Sequence, residues 1–300
     1  MTITLLAAWV TLAPLLTPRQ EISVAAVNEK VYAIGGISGP VILSSVEEYD
    51  RASNRWRFVA PLPAPVHHAA AASLDGKLYI IGGYRSLSFN PTRNVYRYDP
   101  ALDQWSEVAS LPRATGALAA AVIDGRIYAT GGAPALRDLV VYDPAADQWT
   151  TLAQMPTPRE HLAAAAFDGK LYVAGGRAGG NTNAFESYDP VTNAWTILPR
   201  LPTARSGIAA AVLNGRMYVF GGEGNRNSVT GVFPHTESYD FATGTWRREA
   251  DMPTARHGIG AATVSGVIHV PGGAPVEGFG LTDVHEAFGA FPRRRIVLSP

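Results

Sequence analysis

All six tryptophans of the chain stand 26 residues before a glycine pair: Trp9 and Gly35, Trp56 and Gly82, Trp105 and Gly131, Trp149 and Gly175, Trp195 and Gly221, Trp246 and Gly272. Chance does not hold one spacing six times. A fixed internal period means that one small unit is repeated, and it limits the fold to architectures built by repetition. Nineteen residues after each Trp comes a dipeptide of turn character: Asn28-Glu29, Asp75-Gly76, Asp124-Gly125, Asp168-Gly169, Asn214-Gly215 and Ser265-Gly266. Asp-Gly and Asn-Gly between apolar runs signal a tight hairpin, because type I′ turns need positive φ at both central residues. The unit therefore contains strand A, a turn, and strand B closed by two glycines. After a loop of variable length comes a Tyr-Asp strand C, then a turn and strand D carrying the Trp seven residues beyond the Tyr.

Each copy thus reads as a four-stranded antiparallel sheet. Strand A is Ala-rich, as in Ala69–Ala72 and Ala163–Ala166, and its local propensity favours helix. A helix does not fit between a Pro-containing loop and a hairpin turn at fixed distances. Small side chains suit an innermost strand where several sheets converge on one axis, the arrangement of a β-propeller. The last copy has no Trp after Gly272-Gly273, while Trp9 stands alone at the other end. Residues 4–13 are therefore expected to supply strand D of the sixth blade. The expected division is a single propeller over 1–291 and a basic tail over 292–300 that contains Arg293-Arg294-Arg295.

The Gly-Gly, the Tyr-Asp and the Trp seven residues on, recurring every 44 to 51 residues, resemble kelch repeats. The resemblance covers nearly the whole chain and implies an all-β, six-bladed kelch propeller with N-terminal closure. Kelch propellers include protein-binding adaptors, actin-associated proteins, sialic-acid mutarotases and a copper oxidase. The oxidase cofactor requires a Cys cross-linked to Tyr, and this chain has no Cys. Fold alone does not settle function.

With 25 Lys+Arg against 25 Asp+Glu the formal net charge is zero, which argues against nucleic acid or an acidic membrane as partner. No window holds 18 consecutive apolar residues. The first Lys or Arg is Arg19, so the N-terminus lacks the basic region of a signal peptide. A cytoplasmic monomer without metal or other cofactor is the expectation.

Strand alternation puts the D–A and B–C connections on one face, and all length variation falls in B–C. Variable loops on a rigid scaffold usually carry binding, so the mouth on that face is the expected site. Ten residues after each Trp stand Arg19, Val66, Thr115, Arg159, Arg205 and Arg256. Four guanidinium groups in one mouth favour an anionic small molecule, a glycan or an acidic peptide. The same position could instead bond neighbouring loop carbonyls. Tyr84, Arg177 and Glu223 directly follow glycine pairs and are candidate contacts. His68 and His161 are further candidates, with His67 and His257 near the same level. A His cluster can bind metal or move protons, although these residues come from different blades at offsets that are not all equal. Glu160, Glu223 and Glu277 are possible acid–base partners. Glu47, Glu186, Glu237 and Glu286, each two residues before the strand C aromatic, read as structural. The alternative function is cofactor-free acid–base chemistry in the same mouth, of the sugar isomerase or mutarotase kind.

Overall fold

The computed structural model describes residues 7–290. The expected basic tail 292–300 and the first residues of the expected closing strand, 4–6, lie outside the described residues. Six four-stranded antiparallel sheets make up the described chain, with a two-residue ribbon (Ile37–Ser38 with Val41–Ile42) inside one B–C loop. The innermost strands are Ser23–Val27, Ala70–Leu74, Ala119–Ile123, Ala163–Phe167, Ala209–Leu213 and Ala262–Val264. The helix preference of the alanine runs loses to tertiary context: each strand A pairs in full register with its strand B, as Ala163↔Ala174 through Phe167↔Lys170 illustrates. Among the described residues no helix is long and apolar enough to cross a membrane.

The two chain ends meet in blade 6. Ala7–Thr11 pairs antiparallel with His285–Ala290, and Trp9 lies opposite Phe288 as Trp56 lies opposite Tyr49. Each Trp Nε1–H donates across the blade boundary to a carbonyl just past the preceding strand D: Trp56 to Ala13, Trp105 to Ala60, Trp149 to Ala109, Trp195 to Ala153, Trp246 to Pro199 and Trp9 to Ala250. In four blades the N–H of that same residue donates to an Asn or Asp side chain two residues before the Trp. Where the gripped residue is Pro199, which has no N–H, the acceptor position is Gly244. Both halves of the contact are lost together. Loops shift in length from blade to blade, but the gripped carbonyl always belongs to the fourth residue after the preceding Trp.

The boundary between blades 6 and 1 carries two buried imidazoles. His285 Nδ1–H donates to Ala13 O at 3.3 Å, so its Nε2 accepts from His269 Nδ1–H at 3.0 Å. Both rings pack against Tyr49, and His285 also against Trp56. Burial, with the nearby Arg51 charge, pushes His269 down to about 4, and burial next to His269 pushes His285 well below its ordinary value. A His whose folded pKa lies below its unfolded value stabilises the fold above the unfolded pKa near 6.5 and loses that contribution as pH falls. For His269 alone the loss between pH 7.5 and pH 5 is about 2 kcal/mol. Urea unfolding at both pH values should show a smaller acid loss in a His269→Phe/His285→Phe variant than in the wild type. An equal loss in the two proteins would contradict a neutral imidazole pair at this boundary.

Candidate functional site

The four repeat arginines do not line the mouth. Arg19, Arg159, Arg205 and Arg256 are fully buried within their own blades. Each pairs through Nη2 with the carboxylate two residues before the strand C aromatic: Arg19 with Glu47 at 2.6 Å, Arg159 with Glu186 at 2.8 Å, Arg205 with Glu237 at 2.9 Å and Arg256 with Glu286 at 2.8 Å. Their Nη1 groups bond main-chain carbonyls such as Gly35, Ala184, His235 and Val284. A Thr two residues before the Arg completes each set. The Thr157, Thr203 and Thr254 hydroxyls donate to the paired Glu, while in blade 1 the Leu16 and Thr17 amides do so. Burial pulls Arg159 and Arg205 down to about 10, still charged at neutral pH. The expectation of an arginine-lined mouth is therefore corrected: these charges are buried and paired inside their own blades rather than presented to the mouth.

The set is present whole or absent whole. Blade 2 has Ala64, Val66 and Tyr96 at the three positions, and blade 3 has Arg113, Thr115 and Val140. Among the described residues no buried Glu or Arg is left without a partner, consistent with the cost of an uncompensated buried charge. Arg205→Ala should destabilise by about 3–5 kcal/mol. Replacing the pair with the blade 3 residues, Arg205→Thr with Glu237→Val, should recover most of that loss in urea unfolding. If the double variant is as unstable as the sum of its single variants, pairing is not what holds these residues.

The mouth is organised by residues two positions further on. The amides of Glu21, His68, Ala117, His161, Gly207 and Gly258 each donate to the carbonyl of the corresponding residue in the neighbouring blade, at 2.8–3.0 Å. Six bonds close a ring around the axis. All six residues have positive φ: 52° for Glu21, 53° for His68, 56° for Ala117, 52° for His161, 64° for Gly207 and 60° for Gly258. Glycine adopts this backbone without strain, whereas other residues hold it at a cost and do so most often at functional sites. Three of the exceptions carry chemistry: Glu21, His68 and His161. At Gly258 an added Cβ would stand 2.6 Å from Glu21 Oε1, so this glycine leaves room for the carboxylate.

The residue before each ring position pairs with the residue after the glycine pair, giving His67↔Tyr84, Glu160↔Arg177, Ser206↔Glu223 and His257↔Ala274. This places the expected Arg177, Glu223, His68 and His161 in one cluster. Arg177 bonds the carboxylates of Glu160 (Nε to Oε1, 3.1 Å) and Glu223, and donates to His161 Nε2 at 3.1 Å. His257 Nδ1 lies 3.5 Å from Glu21 and 3.4 Å from Glu223. Burial opposes charge on His257, but these carboxylates outweigh it and hold the imidazole above its ordinary value. Burial would raise Glu21, yet its imidazole neighbours hold it well below the usual carboxylate range. Burial also pushes His68 down to about 3. Tyr84, also expected as a contact, is only 4 % exposed and forms a wall. Its ring covers Gly116 and meets His67, His68 and Phe89.

Glu21, His68, His161, Arg177, Glu223, His257 and the Glu277–Phe279 loop enclose a cavity of about 260 Å³. A neighbouring cavity of about 490 Å³ shares Phe89, His161 and Arg177 with it. Sequence reasoning missed Glu21 and Phe89. Glu21 was legible by reading the column twelve residues after each Trp, where it aligns with His68 and His161. His67 and His257 share the column before it, so the imidazoles fall on two ring levels rather than at scattered offsets.

The fold and its mouth define the chain as a six-bladed β-propeller with a loop-built axial cavity. Residues 117–287 match the family model described as the KLHDC2/KLHL20/DRC7 Kelch-repeats domain, and residues 18–63 and 65–112 match the Kelch motif. The chain belongs to the Kelch-repeat family. A 65-residue stretch is 46% identical to Kelch-like protein terF of Aspergillus terreus, and a 50-residue stretch is 40% identical to human Kelch-like protein 4. These stretches cover 22% and 17% of this chain, and 14% and 7% of those proteins. The solved structure of YjhT superimposes with a TM-score of 0.77 at 19% identity, covering 91% of this chain and 95% of that one. At that identity the likeness concerns the fold.

Proposed function

We propose that the mouth binds a small hydroxyl-rich molecule, a glycan in chemical terms. The observation that carries this reading is the charge arrangement. Among the described residues Arg177 is the one arginine lining either cavity, and it is already held by Glu160 and Glu223. Carboxylates, imidazoles, the Gln20 amide and the Tyr84 hydroxyl supply the remaining polar side chains of the lining. Such groups bond hydroxyls well, whereas an anionic small molecule or acidic peptide would meet an excess of negative charge. Phe89, 42 % exposed, and Phe279, 66 % exposed, offer apolar faces at the rim. Cavities with apolar walls and a few convergent polar groups are the usual form of small-molecule sites.

A thermal-shift and calorimetric screen of neutral sugars, acidic sugars and acidic peptides tests the reading. Neutral sugars should stabilise the protein, and Phe89→Ala should weaken that binding by about tenfold. A dominant response to acidic peptides, or sugar binding indifferent to Phe89→Ala, would overturn it.

A second reading is a proton-transfer enzyme in the same mouth, favoured by His257 held between the Glu21 and Glu223 carboxylates. An imidazole whose charge is sustained by carboxylates beside a cavity is suited to acid–base work. Isomerisation of a bound sugar, followed by NMR exchange and abolished in His257→Asn with binding retained, would establish it. Binding without turnover in the wild type would leave the propeller a binding protein.

A further inference from the structure

Three donor atoms, one each from Glu21, His68 and His161, lie within 4.8 Å of one another at the floor of the mouth. The hydrogen bonds around His68 fix what its nitrogens carry. His67 Nε2 lies 3.0 Å from Ser86 O; a carbonyl only accepts, so the proton is on His67 Nε2. His67 Nδ1 is then an acceptor, and the His68 Nδ1 facing it at 2.5 Å is the donor. His68 Nε2 is left with a lone pair, 3.1 Å from Glu21 Oε2. Two acceptors do not hold each other at that distance without something positive between them. With metal–ligand bonds of about 2.1 Å, donors 3.1 Å apart subtend roughly 95°, a normal angle between neighbouring ligands.

We infer that Glu21, His68 and His161 form a binding site for one divalent first-row transition metal ion, with Zn²⁺ or Co²⁺ fitting the donor set. Two imidazoles and one carboxylate suit such ions, whereas Mg²⁺ and Ca²⁺ take oxygen ligands. His67, anchored on Ser86 O, is the outer partner that fixes the His68 tautomer, the role such residues play at metal sites. His161, buried like His68, has its Nδ1 3.3 Å from Glu160 Oε1, a carboxylate partner of the kind that ligating imidazoles use, which leaves Nε2 as the donor atom. Its Nε2 accepts from Arg177; that contact yields when the ion binds, and the guanidinium keeps Glu160 and Glu223. Glu21, Glu160, Glu223 and Glu277 outnumber Arg177 and His257 around the cavity, so a divalent ion reduces an existing negative excess. All three donors also line the cavity, which leaves the remaining coordination positions open to a ligand. The backbone supplies an independent sign. These residues hold the left-handed ring position that blades 5 and 6 fill with Gly207 and Gly258. No metal spacing appears along the chain, because the three come from three blades, at positions 21, 68 and 161. The inference does not depend on which larger molecule the mouth takes.

The test is titration of the full chain, stripped with a chelator, with ZnCl₂ by calorimetry, and the visible spectrum after adding CoCl₂. One Zn²⁺ per chain and Co²⁺ d–d bands of a nitrogen–oxygen site are expected. His68→Gly and Glu21→Gly place at these positions the residue that the ring itself uses elsewhere, so the backbone is preserved. Each should weaken Zn²⁺ binding by more than about 100-fold, and the positioning variant His67→Phe by about 10–100-fold. Ala117→Gly, at the same ring level with no donor, should change nothing. Arg177→Gln should leave binding unchanged or tighten it. Absence of stoichiometric Zn²⁺ binding, or binding equal in His68→Gly, Glu21→Gly and wild type, would overturn the proposal, as would an equal affinity for MgCl₂.

Discussion

The mouth of this propeller depends on a ring of six main-chain hydrogen bonds. One amide from each blade donates to a carbonyl of the preceding blade, and the cycle closes across the boundary where the chain ends meet. A second set lies just outside it: the second glycine of each pair donates to the next blade's carbonyl at Val66, Thr115, Arg159, Arg205, Arg256 or Arg19. The neighbouring backbone comes so close that a Cβ on Gly221 would stand 2.2 Å from Arg256 O. Both the positive φ and the close approach demand glycine there. The repeated Gly-Gly is thus the sequence trace of inter-blade contact, and the ring is what fixes where mouth side chains begin.

Around that ring, buried polar groups are handled as complete sets. Arg, Glu and Thr occur together in four blades and are replaced together in two. The Trp grip loses its N–H at Pro199 and its acceptor at Gly244 in the same blade. For the arginine sets the physical reason is burial: half of a set leaves a group desolvated and unpaired, which costs more than apolar replacement of the whole. The amide half of the Trp grip is exposed, and Ala250 keeps its N–H although Ala7 offers no side-chain acceptor. Positions that keep polar groups without such closure are therefore informative. The Glu21, His68, His161 and His257 cluster has lone pairs and N–H groups left over, and it opens on a cavity.

The fold was legible because its constraints are local and periodic: a turn dipeptide, a glycine pair and a Trp at fixed separations. The closing strand followed from counting tryptophans. The arginines were misjudged because their partners lie 27 to 32 residues away on strand C. Arg19 and Glu47 were each visible as repeat positions, but nothing along the chain says that they face each other inside one blade. Arg177, Glu223, His68 and His161 were legible as departures from the repeat. Glu21 was overlooked because it follows a conspicuous Arg by two residues; its place in the column of His68 and His161 was there to be read, but only the ring geometry sets it beside those imidazoles from blades 2 and 4.

The ring is closed and shared by all six blades. Amide hydrogen exchange, resolved by NMR at Glu21, His68, Ala117, His161, Gly207 and Gly258, measures it directly. These residues sit in irregular connections, where isolated loop amides exchange fast. A closed ring predicts that all six exchange together and slowly, near the limit set by global unfolding, as the strand amides do. Rapid exchange at any of the six, with the strands still protected, would show that the ring is open and would contradict the account of the mouth built on it.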